Sequence, residues 1–443
     1  MGRRGRRQRL PQEPVEARVD SLSHDGRGVA RVEGKATFIH GALPGEKVLF
    51  RYTGRRRSHD EGEVVEVLEA SASRVTPRCP HFGLCGGCSL QHLDATEQIH
   101  YKQQTLADAF THIGKVEPES WLPPLVGESP WGYRRKARLG VKKVPKKGRV
   151  LVGFRERSSS FVADMDSCEV LHPGIGHALE DLSNLIAGLS IAGRVPQIEV
   201  AMDDARCVLI FRILEPLSEE DREQLRRFGQ EQDFIIYTQD GGPETVAPLD
   251  EEADLHYALP EFGLTLHFQP TDFTQVNSDI NRRMLHRAVE LLQPEKTDRV
   301  LDLFCGIGNF TLPLATRAGQ VTGVEGAAEL VARARENARR NGLRNVGFFT
   351  ANLYESLEAE PWMKESFNKA LLDPPRSGAF EILEHLPSMG VARIVYVSCY
   401  PGTLGRDAGE LVHKLGYRLV SAGVMDMFPH TAHVESIALF EKS

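Results

Sequence analysis

The last third of the chain holds a series of short apolar runs that end in single polar residues. Residues 299–304, 320–325, 346–351, 369–372 and 393–397 are each too short for a buried helix and are mostly Val, Leu, Ile and Phe. Continuous runs of this length read as parallel strands covered on both faces. Between them lie helical stretches. Residues 309–315 begin one, and 327–340 place Leu330, Val331 and Ala334 on one face, with Gly342 as a stop. Strand and helix in alternation predict an open α/β sheet, whose ligands bind in the crevice beyond the carboxyl ends of the strands. Glu325, Asn352, Asp373 and Cys399 each come at or just after a strand end, so all four are expected on that edge. Polar groups with no role there would be scattered.

The first turn of this series is Val300-Leu-Asp-Leu-Phe-Cys-Gly-Ile-Gly-Asn309. Gly306 and Gly308 make the turn and a helix comes next, so a ligand can approach bare backbone beside a helix N-terminus. Glu325 ends the next strand, where an acid can accept from both hydroxyls of a ribose. An NAD site shares these features. Against it, the third glycine of Gly-x-Gly-x-x-Gly is missing, and Thr311 and Leu312 stand where a pyrophosphate needs the helix end open. Cys305 reads as a small packing residue.

Cys399 lies in Ser398-Cys399-Tyr400-Pro401 directly after the last parallel run. A lone cysteine is usually a small buried hydrophobe. Its place after the cofactor-type loop and the Asp373-Pro-Pro-Arg376 strand end favours chemistry instead.

These residues, with Phe268-x-Pro270-x-Asp272-Phe273-x-Gln275-Val276-Asn277 and Phe428-Pro-His-Thr-Ala-His-Val-Glu435, resemble the class I S-adenosylmethionine methyltransferases, and among them the RNA uracil 5-methyltransferases. The match covers essentially all of residues 265–443, and the combination is far more specific than any one motif. The resemblance implies a Rossmann-like methyltransferase domain with S-adenosylmethionine as cosubstrate. It implies that Gln275, Phe304, Asn309, Glu325, Asn352 and Asp373 line the cofactor site, that Cys399 is the nucleophile and that Glu435 is the base. Cytosine methyltransferases use related chemistry but carry a cysteine in or near the Pro-Pro motif, where this chain has Arg376.

The residue types suit the reaction. Carbon-5 of uracil is too poor a nucleophile to take a methyl group directly, so a thiolate first adds to carbon-6 and makes the ring an enolate. After transfer, a carboxylate removes the carbon-5 proton and the thiol is expelled. A free thiol is only a few per cent ionised at neutral pH. The site must therefore either favour the thiolate or couple its deprotonation to addition.

Well upstream, Cys79-Pro-His-Phe-Gly-Leu-Cys85-Gly-Gly-Cys88 gathers three thiols within ten residues, and Cys168 is a candidate fourth ligand. Spacing points to a metal but does not separate zinc from an iron–sulfur cluster, since both use four thiolates. A disulfide framework is not expected in a large enzyme with seven cysteines and no secretory signal. The resemblance implies a [4Fe-4S] site, which ribosomal RNA members carry and the transfer RNA member lacks. Cys207 reads as core.

Residues 12–70 carry short alternating runs of a small β-barrel. Asp25-Gly-Arg-Gly-Val-Ala30 followed by Phe38-Ile-His-Gly-Ala-Leu-Pro-Gly-Glu46 resembles a TRAM domain, an RNA-binding barrel of the OB type. The expected order is thus a basic arm at 1–11, this barrel at 12–70, a central iron–sulfur α+β domain at 71–264 and the α/β methyltransferase domain at 265–443. The helix suggested by residues 95–113 is expected to pack on the catalytic domain.

A net charge of −7 excludes a uniformly basic nucleic-acid binder, but charge is unevenly placed. Residues 134–149 hold nine basic side chains and no acid, whereas 231–254 hold eight acids and no Lys or Arg. The basic stretch reads as a hairpin turning near Pro145-Lys-Lys-Gly148 and touching phosphates. Residues 1–9 add five arginines. No apolar stretch approaches the roughly 20 residues of a membrane span, so a cytoplasmic monomer is expected, with 23S ribosomal RNA rather than DNA as partner. The cluster and barrel most resemble the enzyme type acting on uridine 1939. Another 23S uridine, a tRNA, or a non-catalytic metal-containing RNA-binding protein are the alternatives. The last is disfavoured because a scaffold has no need of Gln275, Glu325, Asp373, Cys399 and Glu435 together.

Overall fold

The structure is a computed structural model that describes residues 10, 11 and 13–443; the arginines of residues 1–9 lie outside the described residues. The chain forms two compact units. One comprises Met1–Lys102 with Arg157–Ser159 and Phe428–His433, the other Gln103–Glu156, Ser160–Met427 and Val434–Ser443.

In the first unit, β1 (Val15–Leu22), β2 (Gly28–Val32), β3 (Lys35–His40), β4 (Lys47–Arg55) and β5 (Asp60–Glu69) close into a barrel in the order β1-β2-β3-β5-β4. Alternation drives this: Ala17, Val19, Ala30, Ile39, Val48, Phe50 and Tyr52 point inward, and their neighbours face out. Closure leaves no open edge. The chain leaving the barrel is tied back by Glu46, a buried carboxylate that accepts from Arg74 and from the Leu43 and Ser71 amides. Burial alone would raise its pKa, but these donors outweigh burial and hold it below the usual carboxylate range. The cysteine-bearing segment comes next, and helix α1 (Ala95–Ala109) begins beyond it. Gln98 on α1 accepts from the His430 amide and donates to the Leu90 and Leu93 carbonyls, which anchors the 428–433 loop.

The second unit contains three sheets. Its strands are β6 (Ser120–Trp121), β7 (Lys136–Val144), β8 (Arg149–Gly153), β9 (Gln197–Met202), β10 (Cys207–Arg212), β11 (Phe234–Gln239), β12 (Ala247–Pro248), β13 (His256–Leu259) and β14 (Leu264–His267). These are followed by β15 (Arg299–Leu303), β16 (Gln320–Glu325), β17 (Val346–Thr350), β18 (Lys369–Leu372), β19 (Arg393–Ser398), β20 (Tyr417–Met425) and β21 (Glu435–Lys442). Six make a sheet ordered β12-β11-β10-β9-β7-β8, backed by α2 (Leu179–Gly188) and α3 (Glu219–Gln232). Helix α3 starts at a capping box, Ser218 with Asp221. Cys207 is in the core of this sheet, as expected.

The catalytic sheet runs β17-β16-β15-β18-β19-β21-β20-β6. Strands β15 to β19 are parallel, and β21 is antiparallel to both of its neighbours. The order reverses at β15, which has β16 on one side and β18 on the other. The chain thereby opens a crevice between diverging crossovers at the carboxyl ends, the doubly wound arrangement expected. Helices α4 (Ser278–Leu292), α5 (Thr311–Ala315), α6 (Ala328–Arg340) and α7 (Pro401–His413) cover its faces. The stretch after α1 does pack on this unit: Gly114 lies against the Gly405 backbone of α7, and its carbonyl meets His413 Nε2 at 3.0 Å.

Candidate active site

The loop after β15 departs sharply from the strand. Phe304 adopts φ +64° and Gly306 and Gly308 adopt +54° and +92°. The left-handed backbone at Phe304 costs about 1–2 kcal/mol in a residue with a side chain. It is held by the Cys305 amide on the Val324 carbonyl and the Gly308 amide on the Cys305 carbonyl. Gly308 is required twice over, since a Cβ there would lie 2.2 Å from Leu312 Cδ1. Gly306 faces open space, and its amide donates to Glu325 Oε2. The other oxygen of Glu325 takes the Ala327 amide. Cys305 is buried and its thiol pushed up by burial, which makes it the packing residue expected.

Asp302 is a site residue that the motif alone did not single out. It sits fully buried on β15, with Oδ2 accepting from Thr311 Oγ1 and Oδ1 lacking a hydrogen-bond partner among the described residues. Burial, with the nearby Asp373 and Glu325 carboxylates, raises its pKa to about 8 despite the Thr311 bond. The signal was present: an aspartate inside Val-Leu-Asp-Leu is too costly to bury without a partner.

Three sequence-predicted residues converge at the ends of β18, β19 and β21. The β19–β21 ladder closes with Ser398 opposite Ser436, so Cys399 and Glu435 meet just beyond it. Asp373 comes directly after β18, its amide on the Leu303 carbonyl. Burial raises Asp373 to about 7, and burial together with Asp373 pushes Glu435 well above the carboxylate range. The half-buried Cys399 thiol is raised to about 11, first by burial and then by the Glu435 and Asp373 charges, with Arg376 opposing. Of the two possibilities the chemistry left open, these protein groups do not favour the thiolate.

The other predicted cofactor residues spread along the same crevice. Asn309 and Asn281 exchange side-chain hydrogen bonds, and Tyr257 donates to Asn309 Oδ1 at 2.9 Å. Tyr257 and Asn281 also line a cleft with Gln275, Phe268, Arg135 and Asp204, which holds about 390 Å³ of empty space including open solvent. Phe304 and Tyr354 bring their rings within 5.9 Å. Asn352 is more peripheral: exposed, it receives the Tyr354 amide and donates to Glu355.

The basic stretch forms the expected hairpin, β7 and β8 joined by a turn at Pro145–Lys147. Not all nine bases are available. Arg135 pairs with Asp204, Arg138 with Glu199, and Lys147 and Arg149 with Asp164. Lys136 is largely buried, its ammonium on the Pro270 and Asp272 carbonyls, and burial lowers its pKa to about 8. Lys142, Lys143 and Lys146 are exposed and have no acidic partner among the described residues.

Cys79, Cys85 and Cys88 lie in a run of tight turns in the first unit. There the Gly87 amide points at Cys85 Sγ at 3.4 Å and Cys79 and Cys85 are buried. Cys168 is buried in the second unit. Elsewhere Asp254, His256 and His267 bring ligand-type atoms within 4.8 Å of one another. Arg206 donates to His256 Nδ1 and Arg340 approaches both ring nitrogens of His267. Two guanidiniums at those nitrogens oppose a cation, so the cluster is an ion-pair network.

The family described as tRNA (Uracil-5-)-methyltransferase matches residues 257–443, and the TRAM domain family matches residues 8–49. The chain is 56% identical to 23S rRNA (uracil(1939)-C(5))-methyltransferase RlmD of Alkalilimnicola ehrlichii, over 100% of this chain and 99% of that protein. It is 54% identical to the protein of that name from Methylococcus capsulatus, over the full length of both. The solved tRNA (uracil-54, C5)-methyltransferase of Pyrococcus abyssi, in complex with S-adenosyl-L-homocysteine, superposes with a TM-score of 0.74 at 24% identity, over 96% of this chain and 99% of that one. The chain belongs to the RNA uracil-5-methyltransferases and is an S-adenosylmethionine-dependent enzyme.

Proposed function

We propose that the enzyme methylates carbon-5 of the uridine equivalent to 1939 in 23S ribosomal RNA, in the cytoplasm, through a covalent Cys399–uracil adduct. The observation that carries the chemistry is the meeting of Cys399, Glu435 and Asp373 at three adjacent strand ends. The choice of RNA rests on relatives more than half identical along the whole chain.

Bound in the crevice, S-adenosylmethionine supplies the electrophilic methyl carbon. The residues suit it: Gly306 leaves open space, Glu325 closes the second strand, and the orphaned Asp302 oxygen offers a donor its partner. Gln275, Phe304, Asn309, Glu325, Asn352 and Asp373 are assigned to hold it. Cys399 Sγ bonds to carbon-6 as its proton departs to a carboxylate, and the C5–C6 π pair moves onto the ring carbonyl as an enolate. The enolate's pair on carbon-5 then takes the methyl group, and the sulfur–methyl bond would break with its electrons left on sulfur. Glu435 removes the remaining carbon-5 proton, that electron pair restores the double bond, and the C6–Sγ bond breaks. Burial makes an ionised Glu435 a stronger base than a solvated carboxylate.

A base within a duplex cannot present carbon-6, so the uridine must be unpaired or flipped out, at a cost of a few kcal/mol. Backbone contacts by the barrel and by Lys142, Lys143 and Lys146 are assigned to offset this. A 23S fragment containing the site should gain one methyl group, at that uridine alone. Neutralising the three lysines should flatten the salt dependence of binding, the log–log slope falling by about two to three. Methylation at a different nucleotide would overturn the substrate, and an unchanged slope would move the phosphate contacts elsewhere.

The four cysteines Cys79, Cys85, Cys88 and Cys168 are assigned to a [4Fe-4S] cluster. Support comes from the thiol spacing, from burial and from the Gly87 amide at a sulfur, a contact typical of cluster thiolates. Such a cluster would tie together a turn-rich segment that has little core of its own. Anaerobically purified protein should carry about four irons per chain and lose them with Cys85→Ala; a single zinc would decide for the rival metal.

A further inference from the structure

The turn after Asp373 is gripped more tightly than a surface loop requires. Pro375 and Gly378 close it with a hydrogen bond, and Gly378 adopts φ +82°. A side chain at Gly378 would collide with Arg406 Nη2 and Asp407 Oδ2, both 2.6 Å from the Cβ position. Asp407, on α7, has no exposed surface. Its Oδ2 accepts from the Ala379 amide at 2.8 Å and from Tyr396 Oη at 2.6 Å, and its Oδ1 accepts from Arg406 Nε at 2.7 Å. Arg406 in turn donates to the Ser377 carbonyl and lies over the Phe380 ring. From the opposite side Tyr354 Oη reaches Ser377 Oγ and the Gly378 carbonyl.

Four of these bonds end on residues 377–379, immediately after Arg376, and the others fix Asp407 itself. Tyr396 lies on β19, the strand that delivers Cys399, and α7 begins two residues beyond that thiol. One carboxylate therefore locks together the nucleophile's strand, the helix after it and the turn that follows Arg376.

We propose that Asp407 is a positioning residue that, through Tyr396, Arg406 and the Ala379 amide, holds Arg376 where it assists Cys399. A buried carboxylate serves better here than a neutral group, because it accepts three bonds at once, one of them from a guanidinium. The nearby carboxylates of Glu435 and Asp373 hinder thiolate formation, and Arg376 is the cation opposing them. Loosening the turn thus removes the counterweight without touching the thiol. This deepens the proposed function and rests on Cys399 as its nucleophile.

The test is iodoacetamide labelling of Cys399 in the full-length enzyme, read by peptide mass spectrometry, for D407N, Y396F, R376A and the R376A/D407N pair. Labelling needs neither RNA nor cofactor, so its outcome is separable from that of the methylation reaction. At about pH 8.5, below the thiol's titration, the rate tracks the thiolate fraction; D407N and Y396F should each slow it about threefold or more. R376A should do the same, and adding D407N to R376A should cause no further change, which a merely structural defect would not reproduce. Y396F retains the carboxylate and decides the matter if D407N fails to fold. Unchanged labelling in Y396F, or an additive loss in the double variant, would overturn the proposal.

Discussion

Replacing Cys399 with alanine should lower methyl transfer by about 10⁴-fold or more, the scale seen when a covalent nucleophile is deleted. Binding of S-adenosylmethionine and RNA should stay close to wild type. The reason for the size lies in the substrate: without a bond at carbon-6 there is no enolate, and carbon-5 has no electron pair to offer. The reason for the selectivity lies in the fold. Cys399 stands past the end of β19 and is half-buried, so its removal leaves no hole in the sheet. Product formation rates in single turnover, with cofactor affinity measured by calorimetry, check both halves. Turnover near that of wild type would remove Cys399 from the mechanism.

Glu435→Gln should produce the opposite pattern, in which chemistry begins and does not finish. The amide is nearly isosteric but cannot take the carbon-5 proton, so adduct formation and methylation should proceed while elimination slows by about 10² to 10⁴-fold. Protein linked to RNA should therefore accumulate on denaturing gels. Glu435 is buried at the first position of β21, beside Asp373, and the amide keeps its size and leaves the Cys399 thiol in place. Addition should be no slower, and the trapped species should form readily at neutral pH. Loss of activity without adduct would assign proton removal to another residue.

Much of this site could be read from sequence because buried parallel strands leave a plain mark. Each is a short, largely apolar run, and the residue at its carboxyl end must lie on the ligand edge. Predicted and observed elements differ by a residue or two: the strand expected over 346–351 is Val346–Thr350, and the helix expected over 327–340 is Ala328–Arg340. Phe304, expected to end a strand, instead turns left-handed, because the loop must leave β15 abruptly to expose Gly306.

Less legible was everything that depends on distant partners. Lys136 looked like one more phosphate ligand, yet it is spent on carbonyls 134 and 136 residues away. Lys147 and Arg149 share Asp164, which a charge count over residues 134–149 does not include. Asn309 was legible as a loop residue but not as one half of a pair with Asn281. Asp407 has no local signal at all, since an aspartate on a helix is ordinarily solvated. The ionisation of Cys399 was open for the same reason: it depends first on how deeply the fold buries the thiol and then on the Glu435, Asp373 and Arg376 charges gathered around it.

The covalent route is tested most directly by peptide mapping of the species trapped by Glu435→Gln after incubation with S-adenosylmethionine and a 23S fragment. The expected product is a single crosslinked peptide that contains Cys399, joined to a uridine that already carries the added methyl group. A trapped uridine without the methyl would place the block before transfer. A methylated RNA with no bond to Cys399, or a bond through another residue, would contradict the mechanism.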